Sequence, residues 1–111
     1  MSIERLQQFK TTFIDLVDQM DTILPEEKSN ILKCKFYLIA TDAEKILYHF
    51  LTTTRQYQNE ILSKNDTFIQ SIQSEFELLK AYNKISKTNK DIVLEYLKII
   101  YLYALAYHEG K

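Results

Sequence analysis

The sequence predicts an all-α protein: one helical domain over residues 1–111, built as a bundle of five helices with room for a sixth. Three observations predict it. Apolar residues recur at intervals of three and four in nearly every segment, the rhythm of a helix with one buried face. One glycine and one proline in 111 residues leave too little turn chemistry for a β-sandwich. Hydrophobic residues at 46% and charged residues at 26% are the balance of a globular chain, not a disordered one. A folded chain of 13.2 kDa exposes roughly 6,400 Å² against roughly 19,000 Å² unfolded, enough burial for a core without disulfides or metals.

The first helix carries Ile3, Leu6, Phe9, Phe13, Leu16, Val17 and Met20 on one face, with Ser2 available as its cap. Asp21 to Pro25 breaks it, and Pro25 suits the first position of a second helix running to Ala40, where Glu26 and Glu27 meet the positive helix end. That helix is expected to turn Ile31, Leu32, Phe36 and Ile39 inward. Thr41-Asp42-Ala43-Glu44 reads as a capping box for a third helix with Ile46, Leu47, Phe50 and Leu51. At Thr52-Thr53-Thr54 this helix either kinks or continues through Tyr57, Ile61 and Leu62, because β-branched residues lower helix propensity without forbidding it. After a break at Ser63–Asp66, with Asn65 or Asp66 as cap, Phe68, Ile69, Ile72, Phe76, Leu79 and Tyr82 predict a fourth helical face. A polar loop over 83–88 precedes the last helix, begun by Thr88-Asn89-Lys90-Asp91 and ended near Gly110. No strand pairing, internal repeat or linker is visible.

Charge and cysteine content describe the setting. Fourteen basic and fifteen acidic residues give a net charge of −1, so no global field favours nucleic acid or anionic lipid. Twelve of the fourteen basic residues are lysine, the poorer side chain for bidentate phosphate recognition. Cys34 stands alone, which fits a reducing compartment. Met1–Arg5 lacks the basic-then-apolar pattern of a signal peptide, and the longest apolar stretch, 99–107, is too short for a bilayer. The expectation is a soluble, intracellular, cytoplasmic chain without a membrane partner.

Most chemistry has no foothold in the sequence. Gly110 is the only glycine, so no phosphate-cradling loop exists. His49 and His108 lack ligand partners at helical spacing, and Cys34 has no histidine near it in sequence, so neither a metal nor a cofactor nor any catalytic residue is expected. His49 reads as a partly buried helix residue, His108 as a frayed end, and Cys34 as a small filler. Lys33 and Lys35 would lower the Cys34 pKa only if the thiol were exposed.

Three groups remain as candidate contact sites. Asp15, Asp18 and Asp21 form an acidic patch near the end of the first helix, where the helix dipole disfavours carboxylates and calls for a compensating cation. Lys80, Lys84, Lys87 and Lys90 form the opposite pole, a candidate nucleic-acid contact with one interleaved aromatic, Tyr82. The last helix, apolar on most faces from Ile92 to Tyr107, is either central in the bundle or partly buried by a partner. Its Tyr96, Tyr101, Tyr103, Leu105 and Tyr107 point in several directions and are the candidate partner-binding residues.

The segments Phe13-Ile14-Asp15-Leu16-Val17 with Ile23-Leu24-Pro25-Glu26, then Ile61 through Phe68, then Asn89-Lys90 followed by Ile92, Tyr96 and Leu97, resemble small helical proteins encoded by nucleocytoplasmic large DNA viruses. Thr67 stands where their pattern carries an acid, and the last helix has no tryptophan. The resemblance implies an all-helical viral protein in the host cytoplasm or the virion, and brings no catalytic residue with it. A lysine-, isoleucine- and tyrosine-rich, glycine-poor usage also fits an A/T-rich viral genome. The function expected is therefore a non-enzymatic interaction protein that binds a protein partner or itself, most simply as a homodimer, through the last helix. The alternative is a nucleic-acid-associated factor using the lysine cluster. A small-molecule or lipid pocket ranks behind both, since nothing in the sequence marks its mouth.

Overall fold

Two long antiparallel helices, α1 (Ser2–Ile23) and α6 (Lys87–Glu109), form the axis of the computed structural model, which describes residues 2–110 and the side chains of 3–110. The Arg5 guanidinium donates to the Ala106 carbonyl at 3.3 Å, tying the start of α1 to the end of α6. At the other end, Lys84 Nζ lies 3.5 Å from Glu27 Oε1. Between them run α2 (Lys28–Ala40), α3 (Ala43–Thr54), α4 (Gln58–Leu62) and α5 (Ile69–Ile72); Thr41-Asp42 links α2 to α3 and one 3₁₀ turn each links α3 to α4 and α4 to α5, with no strand among the described residues. The all-α class follows directly. The surface of 6410 Å² and radius of gyration of 13.2 Å match the roughly 6,400 Å² and about 13 Å of a compact folded chain this long.

The core is one contiguous cluster. Phe9, Phe13, Leu16, Val17 and Met20 of α1 meet Val93, Leu97, Ile100 and Ala104 of α6, while α3 contributes Ile46, Leu47, Phe50 and Leu51. Phe50 sits 5.9 Å from Phe9, 5.6 Å from Phe13 and 5.8 Å from Phe76, centroid to centroid. Edge-to-face and tilted rings at these distances satisfy the aromatic quadrupole while excluding water.

Several local expectations are corrected. The third helix does break at its threonines: the Thr53 and Thr54 hydroxyls donate back to the His49 and Phe50 carbonyls at 3.0 and 2.7 Å, competing with the backbone ladder. A 3₁₀ turn then leads into α4. The fourth helix expected over 68–82 is only α5 followed by 3₁₀ turns at Glu77–Leu79 and Tyr82–Lys84. Ile69, Ile72, Leu78, Leu79 and Tyr82, all buried, are divided among these short pieces. Gln73 Nε2 donates to the Leu79 carbonyl at 3.0 Å and closes the irregular segment. In α2, Ile31 and Leu38 face inward, whereas Phe36 is 63% exposed and Ile39 is also outward. Residues 31 and 38 are two turns apart, which leaves position 36 on the opposite side.

The caps shift as well. Asp42, not Thr41, caps α3, its carboxylate accepting from the Lys45 N–H at 3.4 Å, and Glu44 turns instead to the Tyr107 hydroxyl. Asn65 caps the next turn through the Thr67 N–H. Ser86 starts α6 before the expected Thr88 by accepting from the Asn89 N–H at 3.2 Å. The cap assigned to Ser2 lies outside the described side chains.

Tyr82 anchors the irregular segment. It is buried, and its hydroxyl donates to Asp66 Oδ2 at 3.0 Å. Burial first, then the Asp66 acceptor and the Asp66 and Asp91 charges, push its ionisation well above the ordinary tyrosine range. An unfolded Tyr82 ionises near pH 10 while the folded one keeps its proton, so this contribution is complete below about pH 10 and is lost as pH rises toward the folded value. Tyr82→Phe is expected to lower stability by about 1 kcal/mol at neutral pH, with the gap to wild type narrowing above about pH 10. Chemical denaturation at both pH values checks this; a pH-independent gap would contradict it.

Candidate functional site

Helix α6 divides its apolar residues between two faces. Val93, Leu94, Leu97, Ile100, Tyr101, Ala104 and Tyr107 are buried in the bundle. Two of the five residues expected to meet a partner are thus core. Tyr101 is 0% exposed, and its hydroxyl donates to Gln58 Oε1 at 2.6 Å. Desolvation raises its pKa, against the nearby Arg55 charge. Tyr107 is buried with its hydroxyl on the Glu44 carboxylate. The reason is geometric: positions 97, 101, 104 and 107 follow one helical stripe, and Gln58 of α4 and Glu44 of α3 meet its two tyrosines.

The opposite face carries Ile92, Ile99 and Leu102, the last 44% exposed, flanked by half-buried Tyr96, Tyr103 and Leu105. Ile92, Ile99, Leu102 and Ala106 are spaced seven, three and four apart, which places them on a single line along a helix. From Ile92 to Ala106 that line is about 21 Å long at ~1.5 Å per residue. Glu95 interrupts it, held sideways by Lys64 at 3.4 Å. The three aliphatic residues were missed among the tyrosines; their seven-and-three spacing was the available signal.

The charge clusters are largely paired within the chain. Asp18 Oδ1 accepts from Lys35 Nζ of α2 at 2.8 Å, supplying in cis the cation that the end of α1 calls for; Asp15 is exposed and Asp21 half-buried. Three of the four lysines meet groups of their own chain. Lys80 pairs with Glu77 at 2.7 Å and Lys84 approaches Glu27 at 3.5 Å. Lys90 lies 5.3 Å over the Tyr82 ring, and Lys87 is exposed in the first turn of α6.

A cleft of about 460 Å³ opens between α2, α3 and the segment 75–78. Phe13, Val17, Leu38, Ile46, Phe76 and Leu78 form its apolar walls, and Lys33, Tyr37, His49, Glu75 and Glu77 stand around it. His49 is exposed, not partly buried as expected: its Nε2 is 3.8 Å from Glu75 Oε2 and its ring edges Phe76 at 5.8 Å. Cys34 also lines the cleft and is half-buried. Burial pushes its thiol pKa up, the Glu77 charge adds to this, and a backbone hydrogen bond from Leu78 opposes it. The flanking lysines therefore do not produce a thiolate. His108 is not frayed; it lies inside α6 with its ring edge-on to Tyr48 at 5.8 Å.

Among the described residues no group of three or more His, Cys, Asp or Glu side chains converges as a metal site. No helix among them is long and apolar enough to cross a membrane. The geometry defines an all-α bundle bearing an outward apolar helix face and an aromatic-walled cleft. No protein family, curated protein or solved structure matches the chain.

Proposed function

We propose that the protein is a non-enzymatic interaction module that binds a helix of a protein partner, a second copy of itself being the simplest case, along the outward face of α6. The observation that carries this reading is the line of exposed Ile92, Ile99 and Leu102, continued by half-buried Ala106, on a helix whose other side is already buried. A helix that buries one stripe in its own bundle has no need of a second for folding, whereas seven-and-three spacing suits packing against another helix. Tyr96 and Tyr103 flank the line, where amphipathic rings join a dry centre to a wet rim.

Ile99→Glu combined with Leu102→Glu tests the reading. Both residues are exposed in the isolated chain, so helix content and thermal midpoint should stay within a few degrees of wild type. Sedimentation velocity over a concentration series should show self-association that the double variant loses. If the wild type is monomeric, affinity capture should recover a protein that the variant does not retain. Equal association by both proteins, or no association of either kind, would overturn the proposal.

A further inference from the structure

We infer that the cleft between α2 and α3 is a binding site for an uncharged, flat, ring-bearing small molecule, separate from the α6 face. Its volume of about 460 Å³ falls within the roughly 300–1,000 Å³ of small-molecule sites, and its composition follows the same pattern of apolar walls with a few polar groups at the mouth.

The walls are preformed. Phe13 and Phe76 both line the cleft and lie 6.5 Å apart, each packed on buried Phe50 at 5.6 and 5.8 Å. Rings locked in this way present fixed faces and edges to an incoming aromatic surface, which gains offset or edge-on contacts without ordering new side chains. Leu38, Ile46 and Leu78 are buried on the protein side, so the remaining wall is aliphatic and rigid.

The charges around the cleft select against an ionic ligand. Glu77 is engaged by Lys80 at 2.7 Å, and Glu75 faces His49 at 3.8 Å. Lys33, on the α2 side of the cleft, opposes these carboxylates and leaves no strong net field across the mouth. A charged ligand would surrender its hydration to apolar walls, and the charged side chains around the cleft are of both signs. Asn30 and Tyr37 supply uncharged donors and acceptors for a polar edge on an otherwise apolar molecule.

The test uses N-phenylnaphthylamine, an uncharged aromatic fluorophore, with the full chain. Titration should give saturable, one-to-one binding with blue-shifted emission, and the bound probe should slow modification of Cys34 by a disulfide reagent. Tyr37→Glu places a carboxylate at the mouth on an exposed residue and should weaken binding about tenfold or more. Phe36→Glu, on α2 but outside the cleft, should leave it unchanged. Circular dichroism confirms that both variants fold. Absence of saturable binding, equal affinity in Tyr37→Glu, or an unchanged Cys34 rate would overturn the inference. Loss of binding in Phe36→Glu as large as in Tyr37→Glu would also overturn it, moving the ligand to the open face of α2.

Discussion

Phe50→Ala is expected to destabilise the protein by about 3–5 kcal/mol, the range for truncating a fully buried phenylalanine. The ring is 1% exposed and touches Phe9, Phe13 and Phe76 with centroids 5.6–5.9 Å away. Removing it withdraws apolar burial and leaves a void that three rings from α1 and the irregular segment cannot all collapse into. Against a total stability of about 5–15 kcal/mol for a domain of this size, the loss should lower the thermal midpoint by roughly 10–20 °C. Denaturant titration and a thermal melt measure it. A change below about 1 kcal/mol would show that the rings hold together without Phe50.

Tyr101→Ala should produce a loss of similar size, about 3–5 kcal/mol, while Tyr103→Ala should cost about 1 kcal/mol or less. The two tyrosines are two positions apart on one helix, yet Tyr101 is fully buried and hydrogen-bonded to Gln58, and Tyr103 is half-exposed. Tyr101→Phe isolates the hydroxyl and should account for about 1 kcal/mol of the total, the net worth of one hydrogen bond. Comparable losses for Tyr101→Ala and Tyr103→Ala would mean that α6 is buried on both faces, and would remove the surface on which the interaction reading rests.

Tyr101 and Tyr103 also mark how far a sequence reading carries. Apolar spacing alone places α1 and its inward Phe9, Phe13, Leu16, Val17 and Met20, because a long amphipathic helix can bury only one stripe. It places the inward side of α3 equally well. It does not say which of two apolar faces of α6 is turned inward, because both Tyr101 and Ile99 sit on a plausible stripe. The choice is made by the elements packed along one side of α6: α1 lies antiparallel to it, and Gln58 of α4 accepts from the buried Tyr101 hydroxyl. In α2 the same ambiguity turns Phe36 outward although it is as apolar as the buried Leu38.

The segment between α4 and α6 shows the other boundary. Helical spacing of Phe68, Ile69, Ile72, Phe76 and Leu79 is present in the sequence, yet the chain adopts one short helix and three separate 3₁₀ turns there. Local propensity is worth tenths of a kcal/mol per residue, and burial of Phe68, Ile69, Ile72, Leu78 and Leu79 in the shared core outweighs it. That departure brings Phe76, Glu75, Glu77 and Leu78 against α2 and α3, creating the cleft. By itself the sequence determined the all-α class, the two long helices and the absence of a glycine-rich phosphate loop. Only the tertiary structure decided which face of α6 meets solvent and whether a cleft exists. Both depend on contacts between residues far apart in the chain, and periodicity within one helix carries no information about what lies opposite it.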